Sequence, residues 1–181
     1  MSRRFGEIRQ IAFVVPDIDA AMNYWSGTLG IGPFFIKRSL TFTAFYYNGV
    51  EAVSPTISIA LANSGSLQIE LIQQHDDTPS IYRDFLAAGR TGLQHVSAWV
   101  TSSEFDGLRS ALIKEGLSLA QEGTISASGT RLAYYATAGA VNGIIYEVSD
   151  LMDIKHIHRV HLVEEAARRW DGTAPVRETK A

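Results

Sequence analysis

A chain of 181 residues, 46% of them apolar, is long enough for one packed domain with a sizeable core. Its net charge of −3 and lack of a long basic run argue against a nucleic-acid surface, and no stretch is apolar enough to span a membrane. The absence of cysteine excludes disulfides, cysteine-based zinc sites and thiol nucleophiles and fits a reducing compartment. The opening "MSRRFGEIRQ" lacks the apolar stretch of a signal peptide, so a cytoplasmic protein is expected, with neither nucleic acid nor membrane as partner.

Taken in chain order, "IRQIAFVV" (8–15) reads as a β-strand. "IDAAMNYWSGTLG" then places Ile18, Ala21, Met22, Trp25 and Leu29 at helical spacing, with Asp17 as its cap and Gly30 as its stop. Runs at 34–37, 56–62 and 67–73 read as strands. Residues 38–55, with the aromatic run "FTAFYYNG", read as an insertion that forms an extra hairpin or a flap over a cleft. "HDDTP" (75–79) has the composition of a metal motif, but its Thr-Pro ending favours a turn and a helix cap. The strand "LQHVSAWV" (93–100) and the helix "TSSEFDGLRSALIKEG" follow. That helix has Thr101 and Glu104 in capping-box spacing, Phe105, Leu108 and Leu112 on one face, and Gly116 as its stop. Three more strand-like runs follow at 117–121, 130–136 and 144–149. Residues 154–170 read as an amphipathic helix with Ile157, Val160, Val163 and Ala167 as its stripe, able to cover a sheet face or join a dimer. Residues from 171 onward read as a loose end.

The pattern is β-α-β-β-β, twice. Gln10 and His95 occupy matched places in the two first strands, and Glu70 and Glu147 in the two last strands. A carboxylate in a buried strand such as "LQIELIQ" is costly unless paired or bound to a cation. First and last strands of one copy can lie side by side, and two such sheets facing each other would bring all four groups to one point. One imidazole, one amide oxygen and two carboxylates suit a divalent cation with open positions: Zn, Ni, Co, Mn or Fe. Read singly, a strand histidine is more often a hydrogen-bonded core residue, and a strand glutamate more often faces solvent. Both readings stand at this point.

At these residues the sequence resembles the vicinal oxygen chelate superfamily of glyoxalase I, methylmalonyl-CoA epimerase, extradiol dioxygenases and bleomycin-resistance proteins. "QIAFVVPDIDAAMNYWSGTLGIGPF" is similar to the opening strand and helix of a glyoxalase-type module. "LQIELIQ" resembles its metal-bearing last strand, and "PSIYRDFLAAGRTGLQHVSAWV" the linker helix and second-module strand of the epimerases. The resemblance implies an α+β fold of two tandem βαβββ modules forming a curved, cleft-containing mixed sheet, plus a C-terminal helix. It implies a single domain over 1–181: module one about 7–74, a linker helix about 78–89, module two about 92–150 and an extension 151–181. It also implies a metal held by Gln10, Glu70, His95 and Glu147, with glutamine where epimerases carry histidine, as in eukaryotic-type glyoxalase I. That glutamine counts against the oxygen-activating iron site of the dioxygenases, and the retained ligand set counts against a mere sequestering protein.

The activity so implied is proton abstraction beside a metal-bound carbonyl, of the lyase, isomerase or epimerase kind, on a carbonyl or thioester substrate. Glu147 is the first candidate base, and Glu70 the group that returns the proton to the other face. Both could instead be plain ligands, with a water as base. Trp99, Phe35 and Tyr135 (or its neighbour Tyr134) are the expected cavity wall, and Arg38, Arg90 and Arg131 the possible anion contacts. A homodimer is expected, with the site within one chain or at the subunit interface. The rival readings are a non-catalytic small-molecule-binding protein and, more distantly, an extradiol-type dioxygenase.

Overall fold

The computed structural model describes residues 2–136 and 143–179. The first copy of the repeat contributes β1 (Ile8–Val14), α1 (Ile18–Gly27), β2 (Phe34–Leu40), β3 (Phe42–Tyr47), β4 (Val50–Glu51), β5 (Ile57–Ser64) and β6 (Leu67–Gln74). A linker helix, α2 (Ile81–Ala87), leads to β7 (Gly92–Trp99), α3 (Ser102–Lys114), β8 (Ser118–Ile125), β9 (Arg131–Ala136) and β10 (Ile145–Ser149). The chain continues into α4 (Ile154–Arg168) and β11 (Val176–Glu178).

Local chemistry explains the helix starts. The Asp17 carboxylate accepts the Ala20 N–H at 2.9 Å at the head of α1, and Ser80 accepts the Arg83 N–H at 3.0 Å at the head of α2. The Glu104 carboxylate accepts the Thr101 N–H at 2.9 Å, the capping-box contact at the head of α3. The stripe read on that helix buries Phe105 and Leu112 against Ala133, Tyr135 and Val148. Burial of each large apolar side chain contributes about 2 kcal/mol.

All the strands join one sheet in the order β11-β2-β5-β6-β1-β7-β10-β9-β8-β3-β4. Within each copy the first strand pairs in parallel with the last, β1 with β6 and β7 with β10. The expectation of two facing sheets is corrected: β1 and β7 pair antiparallel, so the copies fuse edge to edge. That pairing satisfies backbone groups that two separate edges would leave open.

The insertion closes the structure. β2 lies near one end of the sheet and β3 near the other, yet only Thr41 separates them in sequence. One residue spans only about 4 Å, so the sheet must curl until its ends meet. Of the stretch 38–55 read as an insertion, the first three residues complete β2 and the next strands form a β3–β4 hairpin, with Asn48 and Gly49 at φ of 51° and 78°, and β3 pairs antiparallel with β8 of the other copy. Inside the curl, Val14, Phe42, Phe45, Tyr82, Phe85 and Tyr134 fill one end. Outside it, α1 covers the first copy, burying Met22 against Phe34 and Leu71, and α3 covers the second.

The tail departs from the sequence reading. α4 turns Val160 and Val163 inward over the open side of the curl. The segment expected to be loose instead forms β11, which pairs in parallel with β2 through Val176↔Phe34 and Arg177↔Phe35. The edge of β2 offers unpaired backbone groups, and three residues suffice to satisfy them. Trp170 anchors the return: its indole donates to the Thr173 carbonyl at 2.7 Å, and its ring lies so close to Gly32 that an added Cβ would sit 2.9 Å from it. Among the described residues no helix is long and apolar enough to cross a membrane.

Candidate metal centre

Register brings Glu70 and His95 together. Glu70 of β6 and His95 of β7 both pair with Ala12 of β1, from opposite sides. Ala12 is fully buried and offers only a methyl group, so the two long side chains can meet above it. One step along the same face, Gln10 pairs with both Gln68 and Ser97, and Ser97 pairs with Glu147 of β10. The four polar residues singled out in the repeat therefore lie on adjoining strands of one concave face, within a single chain.

His95 Nε2 stands 3.5 Å from Glu70 Oε2 and 3.4 Å from Glu147 Oε2. Those lengths make the contacts Coulombic rather than hydrogen-bonded. Glu70 Oε2 and His95 Nε2 are buried with no hydrogen-bond partner, an arrangement that costs free energy unless something fills the gap. Ligand atoms of the three side chains lie within 4.8 Å of one another. Donors around one divalent ion at about 2.1 Å sit roughly 3.0–3.5 Å apart, which is the spacing of His95 Nε2 from each carboxylate. Glu70, His95 and Glu147 thus fit a cation on geometry and on donor chemistry.

The surroundings set the protonation states. Burial works to lower the His95 pKa, but the Glu147 and Glu70 carboxylates beside it push it up to about 9. Burial raises the Glu70 carboxyl, and the Glu147 charge adds to that against the opposing pull of His95. Burial also works to raise Glu147, but His95, with the Ser97 and Tyr134 hydroxyls, holds it below its usual range. Ser97 Oγ donates to Glu147 Oε1 at 2.7 Å, so Glu147 is tethered while Glu70 Oε2 is not.

Three supporting residues, Ser97, Gln94 and Gln68, escaped sequence reading. The β1–β7 pairing passes from Ala12↔His95 to Phe13↔Leu93, so Gln94 is skipped. This bulge brings the Gln94 side chain beside its neighbour's ring. Gln94 Nε2 donates to the Ile81 carbonyl at 2.8 Å, leaving its Oε1 to accept from His95 Nδ1 at 2.9 Å. The Nδ1 proton is thereby fixed and Nε2 faces the gap, where it holds the second proton near neutrality and would give it up to a cation. Similarly, Gln10 Nε2 donates to Gln68 Oε1 at 2.8 Å, which leaves the Gln10 oxygen uncommitted. An X-Gln-His step in a strand is the only sequence trace of the first device, and it carries no periodic signal.

A cavity of about 580 Å³ opens beside the cluster, lined by Gln10, Gln68, Glu70 and Glu147, by apolar residues such as Leu40, Leu61 and Leu132, and by α4. Phe35 lines it, but two expected wall residues do not. Tyr135 points the other way, packed under α3 with Phe5, because strand alternation turns Tyr134 inward instead. Trp99 shares the His95 face but lies at the strand end, where the Arg9 guanidinium stands 5.4 Å from its ring, away from the cavity. The three arginines named as anion contacts are otherwise engaged. Arg38 binds Asp19 and Glu178, Arg131 binds Asp106 and Asp150, and Arg90 lies over Phe85. In "HDDTP", His75 bonds the Ser58 hydroxyl at 2.7 Å, and Asp76 accepts the Thr56 and Thr78 N–H groups.

Curled twin modules with a buried imidazole and two carboxylates on the inner face define the architecture of a glyoxalase-type protein. Residues 9–134 match the sequence profile of the Glyoxalase/Bleomycin resistance protein/Dioxygenase superfamily, and the chain belongs to that superfamily. No curated protein sequence matches the chain. Among solved structures, methylmalonyl-CoA epimerase from Mycobacterium tuberculosis is similar at 15% identity and a TM-score of 0.57, over 82% of this chain and 91% of that one. A hypothetical protein from Bacillus halodurans C-125 is similar at 18% identity and 0.54, over 79% and 92%. A methylmalonyl-CoA epimerase from Streptomyces coelicolor, in complex with 2-nitronate-propionyl-CoA, is similar at 15% identity and 0.54, over 78% and 92%. At these identities the likeness speaks for the fold.

Proposed function

We propose that the protein is a metal-dependent enzyme of the glyoxalase or epimerase type, which moves a proton on the carbon next to a carbonyl of a small substrate. The observation that carries this reading is the pair of orphaned atoms, Glu70 Oε2 and His95 Nε2, buried beside Glu147, with Glu70 and Glu147 lining a cavity. Glu70, His95 and Glu147, with the free oxygen of Gln10, would hold the cation. A divalent ion there supplies electron withdrawal from the carbonyl, which acidifies the adjacent C–H.

The chain's own residues do the rest. The two carboxylates flank the gap, so one can take a proton and the other can return it. Glu147, the base expected from the sequence, is tethered to Ser97, which makes Glu70 the freer of the two. Gln94 holds the imidazole ring in place, and α4 shields the cavity from bulk water. A thioester of the kind named in the Streptomyces complex is one substrate class in keeping with this chemistry, and a 2-oxo compound is another.

The decisive experiment is elemental analysis of the purified protein beside the His95→Ala, Glu147→Ala double variant, followed by solvent deuterium exchange into candidate carbonyl compounds. One divalent ion per chain, lost in the variant, with exchange in the wild type, is the expected result. Glu70→Gln is expected to lower exchange by roughly 10²–10⁴-fold while metal is retained. Absence of metal after reconstitution would overturn the reading. Metal without exchange would favour the rival, a binding protein, for which the roof of α4 over the cavity is the supporting observation.

A further inference from the structure

The mouth of the cavity carries three cations that the proposed chemistry does not use. Lys37 of β2, Arg159 of α4 and Arg177 of β11 all line it, and none makes an ion pair or a side-chain hydrogen bond with a described residue. Glu178 is the acid beside them, and it is committed to Arg38 at 3.1 Å. The Arg177 guanidinium lies 5.5 Å from the Phe35 ring, which holds it against the cavity wall. Two of the three cations come from the α4–β11 segment, beyond the residues that match the superfamily profile. We propose that Lys37, Arg159 and Arg177 form a subsite for an anionic group, so that the substrate is an apolar carbonyl compound with a carboxylate or phosphate at its far end. This rests on the metal-centre reading above.

Register gives the length of that substrate. A single cross-strand row runs Arg177, Phe35, Leu61, Glu70, Ala12, His95. Three strand spacings separate Arg177 from Glu70, about 14 Å between main chains. Between them the wall is Phe35 and Leu61, with Ile59 beside Lys37 on the neighbouring row. A ligand reaching from the metal to the arginine therefore has an apolar middle of roughly six to eight atoms, given that spacing. Lys37 and Arg177 are half-buried and Arg159 is exposed, so three like charges gather beside an apolar wall with no ion-pair partner among the described residues, a field that favours an anion.

The test uses chelator-tailed probes on the zinc-loaded full-length protein, followed by titration calorimetry. The probes are straight-chain hydroxamates whose other end bears a carboxylate, a phosphonate or a neutral methyl ester. The acid probes are expected to bind at least tenfold tighter than the ester, with the advantage largest at the middle chain lengths and reduced by salt. Arg177→Gln and Arg159→Gln are expected to abolish that advantage and leave ester binding unchanged, which also shows that the variants fold. A carboxylate stronger than the phosphonate, or the reverse, assigns the source of the charge. Equal binding of acid and ester in the wild type would overturn the subsite. Failure of every hydroxamate to bind would instead overturn the metal reading on which it stands.

Discussion

Gln94 shows how much one side chain can decide. A bulge residue spends its amide on two neighbours, the Ile81 carbonyl and the His95 ring, and so selects which ring nitrogen faces the gap. Gln94→Ala is expected to weaken zinc binding by about 10–100-fold, measured by competition with a chromogenic chelator, while leaving the secondary structure unchanged. Asp76 serves stability. Burial works to raise its carboxyl, but the Thr56 and Thr78 N–H groups hold it down to about 2, against an ordinary value of 3.8. A folded value below the unfolded one means the stabilisation is complete above about pH 4 and is lost as pH falls through about 2. Asp76→Asn is expected to lower stability near neutrality by about 1 kcal/mol and to flatten the acid-unfolding profile over that window. An unchanged profile would count against the assignment.

Among the elements, Gly123 is the narrow point of the closure. A Cβ there would lie 2.7 Å from the Phe42 ring and 2.9 Å from the Ala44 carbonyl, and backbone cannot step aside cheaply. Gly123→Ala is expected to loosen β3 from β8 and to cost about 1–3 kcal/mol by urea unfolding, with Gly129→Ser as the turn-position comparison. The strands and helices of the repeat were legible because periodicity and caps are local: Asp17, Thr101 and Glu104 announce their helices, and Asn48-Gly49 announces a hairpin. The partner of each strand was less so. Nothing in "FTAFYY" says that it pairs with the opposite copy, and nothing in "PVRE" says that it returns to β2 across more than a hundred residues. The gathering of Gln10, Glu70, His95 and Glu147 into one candidate site was legible from their places in the repeat, whereas Gln68, Gln94 and Ser97 were not, because a glutamine or serine that supports a neighbour looks like any other.

At the scale of the molecule, the curled sheet is a vessel and α4 its cover. Val160 and Val163 are buried at 6% and 1% exposure, and Trp170 and β11 pin the far side of the cover. Val163→Ala is expected to cost about 2 kcal/mol in denaturant unfolding. A chain stopped after Asp150 is expected to bind more of a fluorescent apolar dye than the full chain, because loss of α4 uncovers the cavity walls. Equal dye binding by both would show that α4 does not seal the cavity.

Synthesis adds an order in time to this arrangement. Glu147 completes the polar cluster, whereas β11 begins only at Val176. At roughly 5–20 residues per second, the cover follows the cluster by about 1–6 s. For that interval a newly made chain holds its donor atoms without the strand that pins their cover, accessible to an ion from solution.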